Sequence, residues 1–177
     1  MQTYMILLRG VTPTGKNKVL MAPLRAALEQ AGLIDVRTYI QSGNLVARSD
    51  LHQADLETLV HNIIAQHFGG NIAVLARTIE QFASIVRRNP FPNADQAKLY
   101  VTLLATTPKD ELIEAFLALN HTPDQVQMID DVVYVLCATK YSDIKANNNF
   151  IERKLKVAAT TRVWNTMAKL VALGTQK

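Results

Sequence analysis

The first 77 residues group apolar and polar positions into blocks that predict alternating strands and helices. Apolar runs or strict alternation predict strands over four segments: 3–9, 36–40, 45–48 and 72–77. Apolar residues at helical spacing predict one helix over 21–31 and a second one that Ser49 or Asp50 caps and Gly69 ends. The order β-α-β-β-α-β is typical of a ferredoxin-like unit, an antiparallel sheet with both helices on one face.

The second half of the chain predicts a similar order. Thr78 and Gln81 form a capping box that opens a helix, which the proline-rich segment 89–92 ends. Strands are predicted at 98–105, 126–129 and 132–137. Three more helices are predicted: one that Thr107 opens, one from Ser142 towards Lys156, and one that Thr160 or Thr161 caps. No clear final strand is visible in this half.

Together these patterns predict an α+β fold of two ferredoxin-like lobes packed into one compact unit. The first lobe is expected over residues 1–77, and the second, with the C-terminal helices, over residues 78–177.

Composition narrows the class of protein. With 177 residues, 49% of them hydrophobic and 19% charged, the chain is too apolar for intrinsic disorder. The single cysteine, Cys137, excludes an internal disulfide, and the four histidines do not cluster at metal-ligand spacing. No cofactor is therefore predicted. No apolar run approaches the ~20 residues that span a bilayer, and no signal peptide is visible, so a cytoplasmic protein without membrane contact is expected.

Positive charge concentrates near the C-terminus. Residues 140–177 hold eight basic and two acidic side chains, a net charge of +6, within a chain of net charge +4. Such a region either attracts a polyanion such as nucleic acid or forms a solvated helix face. Nucleic acid is the less favoured partner, because Trp164 and Phe150 are predicted to point inward and only Tyr141 is left for base stacking.

The loop after the first strand is the first candidate binding segment. Residues 10–16 match the GxxxxGK pattern of a phosphate-binding loop, but Asn17 stands where a hydroxyl should reach magnesium. Pro23 would also lie in the second turn of the helix that such a loop requires. A nucleotide-hydrolysing loop is therefore disfavoured. Arg9 and Lys16 are compatible with two interpretations: a basic loop that binds an anion, or an ordinary connection between a strand and a helix.

A second candidate is the predicted hairpin tip at residues 41–44. Turn chemistry accounts for Gly43 and Asn44. It does not account for Gln41 and Ser42 beside a buried strand, where unpaired polar groups are costly, so these side chains are available to a pocket.

The last two candidates lie in the second half. Asn148 shares the apolar face of its predicted helix with Ile144, so its amide needs partners from the fold or from a ligand. Thr160, Thr161 and Arg162 are predicted to begin the last helix, where free N–H groups, hydroxyls and a guanidinium suit a phosphate. Simple capping by one threonine is the alternative.

These segments, taken together, resemble a family. The segments are Leu-Leu-Arg-Gly at 7–10 with Gly-Lys-Asn-Lys at 15–18, Thr-Tyr-Ile-Gln-Ser-Gly-Asn at 38–44, Asn-Pro-Phe at 89–91, and Ala-Thr-Thr-Arg-Val-Trp-Asn-Thr at 159–166. The chain resembles the mostly bacterial domain-of-unknown-function family numbered sixteen ninety-seven. The resemblance implies a two-lobed α+β structure and no established activity. Residues 11–14 and Val163 depart from the family pattern, and the first change stiffens the loop.

The leading hypothesis is non-catalytic binding of a phosphate-bearing ligand, a nucleotide or nucleic acid. An enzyme of unidentified reaction on a small anionic substrate and a protein–protein adaptor are the alternatives, and the oligomeric state stays open. The candidate ligand-binding residues are Arg9, Lys16, Asn17, Gln41, Ser42, Asn44, Asn148, Thr160, Thr161 and Arg162. We expect Arg9, Lys16, Asn44, Thr161 and Arg162 to line one cleft between the lobes.

Overall fold

The computed structural model describes residues 1–176. The chain divides into two compact units. The first unit comprises Met1–Ser84 and residues 169–176, and the second comprises Ile85–Ala168. In chain order the elements are β1 (Gln2–Leu8), α1 (Met21–Gln30), β2 (Ile34–Thr38), β3 (Asn44–Ser49), α2 (Gln53–Phe68), β4 (Val74–Thr78), α3 (Ile79–Arg87), β5 (Leu99–Leu104), α4 (Asp110–Leu117), β6 (Gln125–Ile129), β7 (Val132–Leu136), α5 (Asn148–Leu155), β8 (Ala159–Val163) and α6 (Trp164–Thr175).

The first unit is built on a four-stranded antiparallel sheet. Its strand order is β2-β3-β1-β4, which is compatible with the predicted ferredoxin-like unit. Alternate residues of β1, namely Tyr4, Ile6 and Leu8, join the core that α1 and α2 cover. Met5, on the other face of β1, is also fully buried, and the α6 residue Gly174 lies against it. Both faces of the central strand are therefore covered, which explains its unbroken apolar run.

The second unit repeats this arrangement. Its sheet is antiparallel with the order β6-β7-β5-β8, the same order as in the first unit when the strands are counted from β5. The helices α4 and α5 contribute Phe116, Ile151 and Leu155 to a core that also includes Val133 and Val135 of β7. The predicted α+β class with two similar lobes is confirmed.

The last strand corrects the sequence analysis. Residues 159–163 form β8, paired with β5 through Thr160 opposite Leu103 and Arg162 opposite Val101, and α6 begins only at Trp164. The prediction that Thr160 or Thr161 caps the last helix is therefore wrong, as is the apparent lack of a final strand. Three of the five residues of β8 are β-branched, which favours an extended strand.

Other helix boundaries also differ. The helix α5 begins at Asn148, and Asn147 caps it by accepting a hydrogen bond from the N–H of Phe150 at 3.0 Å, so the predicted start at Ser142 is wrong. The preceding Tyr141–Asp143 is a short 3₁₀ turn.

Two further caps were misplaced and one was correct. His52 precedes α2 where Ser49 or Asp50 was expected, and α4 begins at Asp110, after the predicted Thr107. The capping box at α3 is confirmed: Thr78 N donates to Gln81 Oε1 at 2.8 Å, and Gln81 N donates to Thr78 Oγ1 at 3.3 Å.

Candidate ligand-binding site

Residues 10–19, the basic loop, form a closed and internally bonded segment between β1 and α1. Thr12 N donates to Asn17 O, and Lys18 N donates to Gly15 O, each at 3.2 Å. Gly10 and Gly15 adopt left-handed backbone conformations with φ of 66° and 80°, which an L side chain rarely adopts. The loop is thus shaped by its own hydrogen bonds and by glycine at two positions.

Asn17 closes the neck of the basic loop. Its Nδ2 donates to the carbonyl oxygen of Gly10 at 3.3 Å, so the side chain that breaks the phosphate-loop pattern bonds the loop to itself. Lys16 and Lys18 are exposed. Because α1 starts at Met21, Lys16 lies in a turn and not at a helix start. This differs from the geometry of a nucleotide-hydrolysing loop, in which the helix follows the glycine and lysine directly.

Residues 41–44, the glycine turn, connect β2 to β3. Gln41 Nε2 donates to the carbonyl oxygen of Val19 at 2.7 Å, which joins the turn to the end of the basic loop. Asn44 is fully buried, and its Nδ2 donates to Tyr39 O at 3.1 Å and to Ser42 Oγ at 2.8 Å. These bonds give Gln41, Ser42 and Asn44 partners within the first unit.

The glycine turn also contacts the end of β1 and the start of the basic loop. Leu8 N donates to Gly43 O at 2.8 Å, and Val11 also lies beside Gly43. Arg9 follows directly, half-buried, with its N–H bonded to Ala73 O at 3.0 Å. The basic loop and the glycine turn, which carry Lys16, Asn17, Gln41, Ser42 and Asn44, therefore lie close together, and Arg9 directly precedes the loop.

Sequence reasoning misjudged Ile40. It was predicted to continue a half-buried strand, but β2 ends at Thr38 and Ile40 is 55% exposed. Its φ of 52° is unusual for a β-branched residue and carries strain of ~1–3 kcal/mol. Leu20 is 44% exposed. Val19 precedes Leu20 and Gln41 follows Ile40, so the hydrogen bond between Gln41 and Val19 lies next to both apolar side chains.

The candidates of the second unit form a hydrogen-bonded chain. Thr161 Oγ1 donates to Asn148 Oδ1 at 2.9 Å, and Asn148 Nδ2 donates to Ala159 O at 3.1 Å. The hydroxyls of Thr102 and Thr161 are 2.7 Å apart. Because the Thr161 proton is directed to Asn148, Thr102 is the donor to Thr161. The Asn148 amide thus has hydrogen-bond partners within the fold, which is one of the two possibilities that the sequence left open.

Arg162 is bonded to its own strand. Its Nη1 donates to Thr160 Oγ1 at 2.8 Å and to Thr161 O at 2.9 Å, and Thr160 is only 1% exposed. Burial lowers the pKa of the Arg162 guanidinium to about 10, so the side chain stays charged at neutral pH. The side chain has a structural role in β8 that the sequence did not predict. Because Thr161 and Arg162 belong to the second unit and Arg9 to the first, the single shared cleft stays a prediction.

Two groups near β5 complete the chemistry of the second unit. The rings of Tyr100 and Tyr141 stack with centroids 4.3 Å apart. Burial, followed by the charge of Asp124, raises the pKa of the Cys137 thiol to about 11. Cys137 is therefore a thiol and not a nucleophilic thiolate at neutral pH.

Residues 1–176 contain neither a metal-binding cluster nor a membrane-spanning helix. No group of three or more histidine, cysteine or carboxylate side chains is arranged to hold a metal ion. No helix in the same range has both the length and the apolar character needed to cross a membrane.

The sheets and loops described above define a two-lobed α+β protein with a structured basic loop. Residues 1–134 match the sequence model of the family described as Protein of unknown function (DUF1697), so the chain belongs to this family and the predicted resemblance is confirmed. No curated protein matches the sequence. A solved structure of a conserved bacterial protein from Streptococcus pneumoniae is 23% identical, with a TM-score of 0.79. The match covers 98% of this chain and 99% of that one, and it supports the fold.

Proposed function

We propose that the protein binds a phosphate-bearing ligand at the basic loop without transforming it. The proposal rests on the hydrogen bonds that hold both ends of the loop in place. Asn17 closes its neck, and Gln41 bonds its end to the glycine turn at 2.7 Å. A loop fixed in this way presents Lys16 and Lys18 from a backbone that has little conformational entropy left to lose on binding.

The chemistry of the loop suits a phosphate. Each lysine offers an ammonium group with three donors, and a hydrogen bond to a charged group is worth ~1.5–3 kcal/mol. Gly10 and Gly15 lack a Cβ, which allows close approach of an anion to the backbone. Asn17, where a magnesium-binding hydroxyl would stand, supports binding over hydrolysis.

The exposed side chains of Leu20 and Ile40 favour a nucleotide over a smaller phosphate. They are 44% and 55% exposed, and they adjoin the bond that joins the loop to the turn. An apolar surface beside a basic loop can hold the base of a nucleotide while the lysines bind its phosphates.

Nucleic acid is less well supported. Tyr141, the aromatic side chain expected to be left for base stacking, already stacks on Tyr100. Phe150 is half-buried, with the cations of Arg153 and Lys154 at 5.4 and 5.6 Å from its ring centroid. The enzyme and adaptor alternatives stay predictions.

Replacing Lys16 and Lys18 together by alanine is expected to weaken nucleotide binding strongly. In a thermal-shift and calorimetric titration with AMP, ADP and ATP, the parent protein should gain stability through binding to the native state. Each lysine is expected to contribute about a factor of ten in Kd, because a charged hydrogen bond is worth ~1.5 kcal/mol or more. The double variant should therefore bind about a hundredfold more weakly.

The matched control replaces Lys109 and Lys145, two exposed lysines of the second unit, by alanine. This control removes the same charge and should bind as the parent does. Equal loss in both double variants would show a non-specific charge effect and reject the site. Binding of an oligonucleotide that exceeds that of any mononucleotide and weakens steeply with salt would move the function to nucleic acid.

A further inference from the structure

The first unit contains a cavity of about 670 Å³ outside the basic loop and the glycine turn. Its polar lining comes from three neighbouring strands, from α1 and from the residues at the end of α6. The polar residues with longer or hydroxyl-bearing side chains on this lining include Thr3, Glu29, Asp35, Arg37, Arg48 and Gln176. A volume of this size is typical of small-molecule sites.

A β-bulge shapes the edge of this cavity. Ile34 pairs with Arg48, but Arg37 pairs with Val46, so β2 holds one extra residue between them. Asp35 lies in that bulge with a left-handed φ of 53°. Its Oδ2 accepts a hydrogen bond from Arg48 Nη1 at 3.0 Å, which pairs the charge of Arg48.

Arg37 is the second cation that lines the cavity, and it does not take part in the ion pair between Arg48 and Asp35. Its Nε is shielded from solvent and has no hydrogen-bond partner among residues 1–176. A shielded donor without a partner is unfavourable. The half-buried Arg37 side chain lines the cavity, and its planar guanidinium carries the Nε and Nη donors in a fixed fork.

We propose that this cavity binds a small molecule through its carboxylate, held by Arg37. The planar guanidinium matches the two oxygens of a carboxylate in a bidentate pair. The cavity is lined by two cations and two carboxylates, Asp35 and Glu29, so its formal charge is zero. This balance disfavours a phosphate dianion and suits a monocarboxylate, or an amino acid whose ammonium faces Glu29.

The test is a calorimetric and NMR titration of the full chain with propionate, alanine and inorganic phosphate. Propionate and alanine share the carboxylate and differ only by the ammonium group. The parent protein should bind at least one of them, and Arg37→Met should bind it at least tenfold more weakly. Arg25→Met, on the exposed side of α1, is the matched control and should bind as the parent does.

Arg37→Lys keeps the positive charge and removes the planar pair of donors, so this variant should also bind the carboxylate at least tenfold more weakly. If Arg37→Met does not fold, Arg37→Lys serves as the test. If alanine binds more tightly than propionate and Glu29→Gln removes this difference, the ligand is an amino acid. If alanine and propionate bind equally, the carboxylate alone is recognised. Parent-like affinity in Arg37→Lys, no binding of either carboxylate by the parent, or tighter binding of phosphate would each overturn the proposal. The Lys16 and Lys18 double variant should keep this binding, which separates the two sites.

Discussion

Replacing Gly43 by alanine is expected to lower the free energy of unfolding by about 3 kcal/mol. Gly43 has a φ of 76°, and a Cβ at this position would lie 2.7 Å from Leu8 Cβ and 3.3 Å from Val11 Cγ2. Leu8 Cβ is fixed to the central strand, and Leu8 N is bonded to Gly43 O at 2.8 Å. The clash therefore cannot be relieved by rotating a side chain.

Gly15→Ala is the matched control for this prediction. Gly15 has a similar φ of 80°, but nothing lies within 4 Å of the position that its Cβ would take. Its substitution should cost only the conformational term, ~1 kcal/mol. Urea unfolding followed by far-UV circular dichroism measures both variants. Equal losses would show that the contact between Gly43 and Leu8 carries no steric cost.

Replacing Asn148 by alanine is expected to lower the free energy of unfolding by about 2 kcal/mol. The substitution removes the donor to Ala159 O and the acceptor of the Thr161 hydroxyl at once. Both partners lie in or beside the sheet, where an unsatisfied polar group is costly. Because the Thr102 hydroxyl is bonded to the Thr161 hydroxyl, the substitution should also weaken the hydrogen bond between these two threonines.

Asn62→Ala is the control, since Asn62 is exposed within α2 and alanine is the better helix former there. It should leave stability unchanged or slightly raised. A double-mutant cycle with Thr161→Val should show that the effects of Asn148 and Thr161 are not additive. If Asn148→Ala behaves like Asn62→Ala, the hydrogen-bonded chain makes no net contribution to the fold.

The fold of the first unit was readable from the sequence because its signals are local. Apolar runs and alternating apolar residues predict its strands, and glycines such as Gly43 and Gly69 stand at its turns and helix ends. The last strand was misread because threonine serves both as a helix cap and as a strand former. The pairing of Thr160 with Leu103 decides between them, and no local pattern shows that contact.

The candidate site was predictable in its residue types but not in its bonds. The sequence indicated a basic loop and a polar turn, and the bond from Gln41 to Val19 that joins them spans 22 positions. The cavity at Arg37 gave no signal at all. It depends on a bulge in an edge strand and on a left-handed backbone at Asp35, and no local sequence pattern marks either.

The central claim, a phosphate-bearing ligand on the basic loop, is tested most directly by NMR. We would titrate the ¹⁵N-labelled full chain with ATP and follow the backbone amide signals. The account predicts saturable shifts at Gly10, Gly15, Lys16 and Asn17, with Gln41 following because its side chain is bonded to Val19 O. Shifts confined to residues beyond 140, or none at the loop while ATP is bound elsewhere, would contradict it.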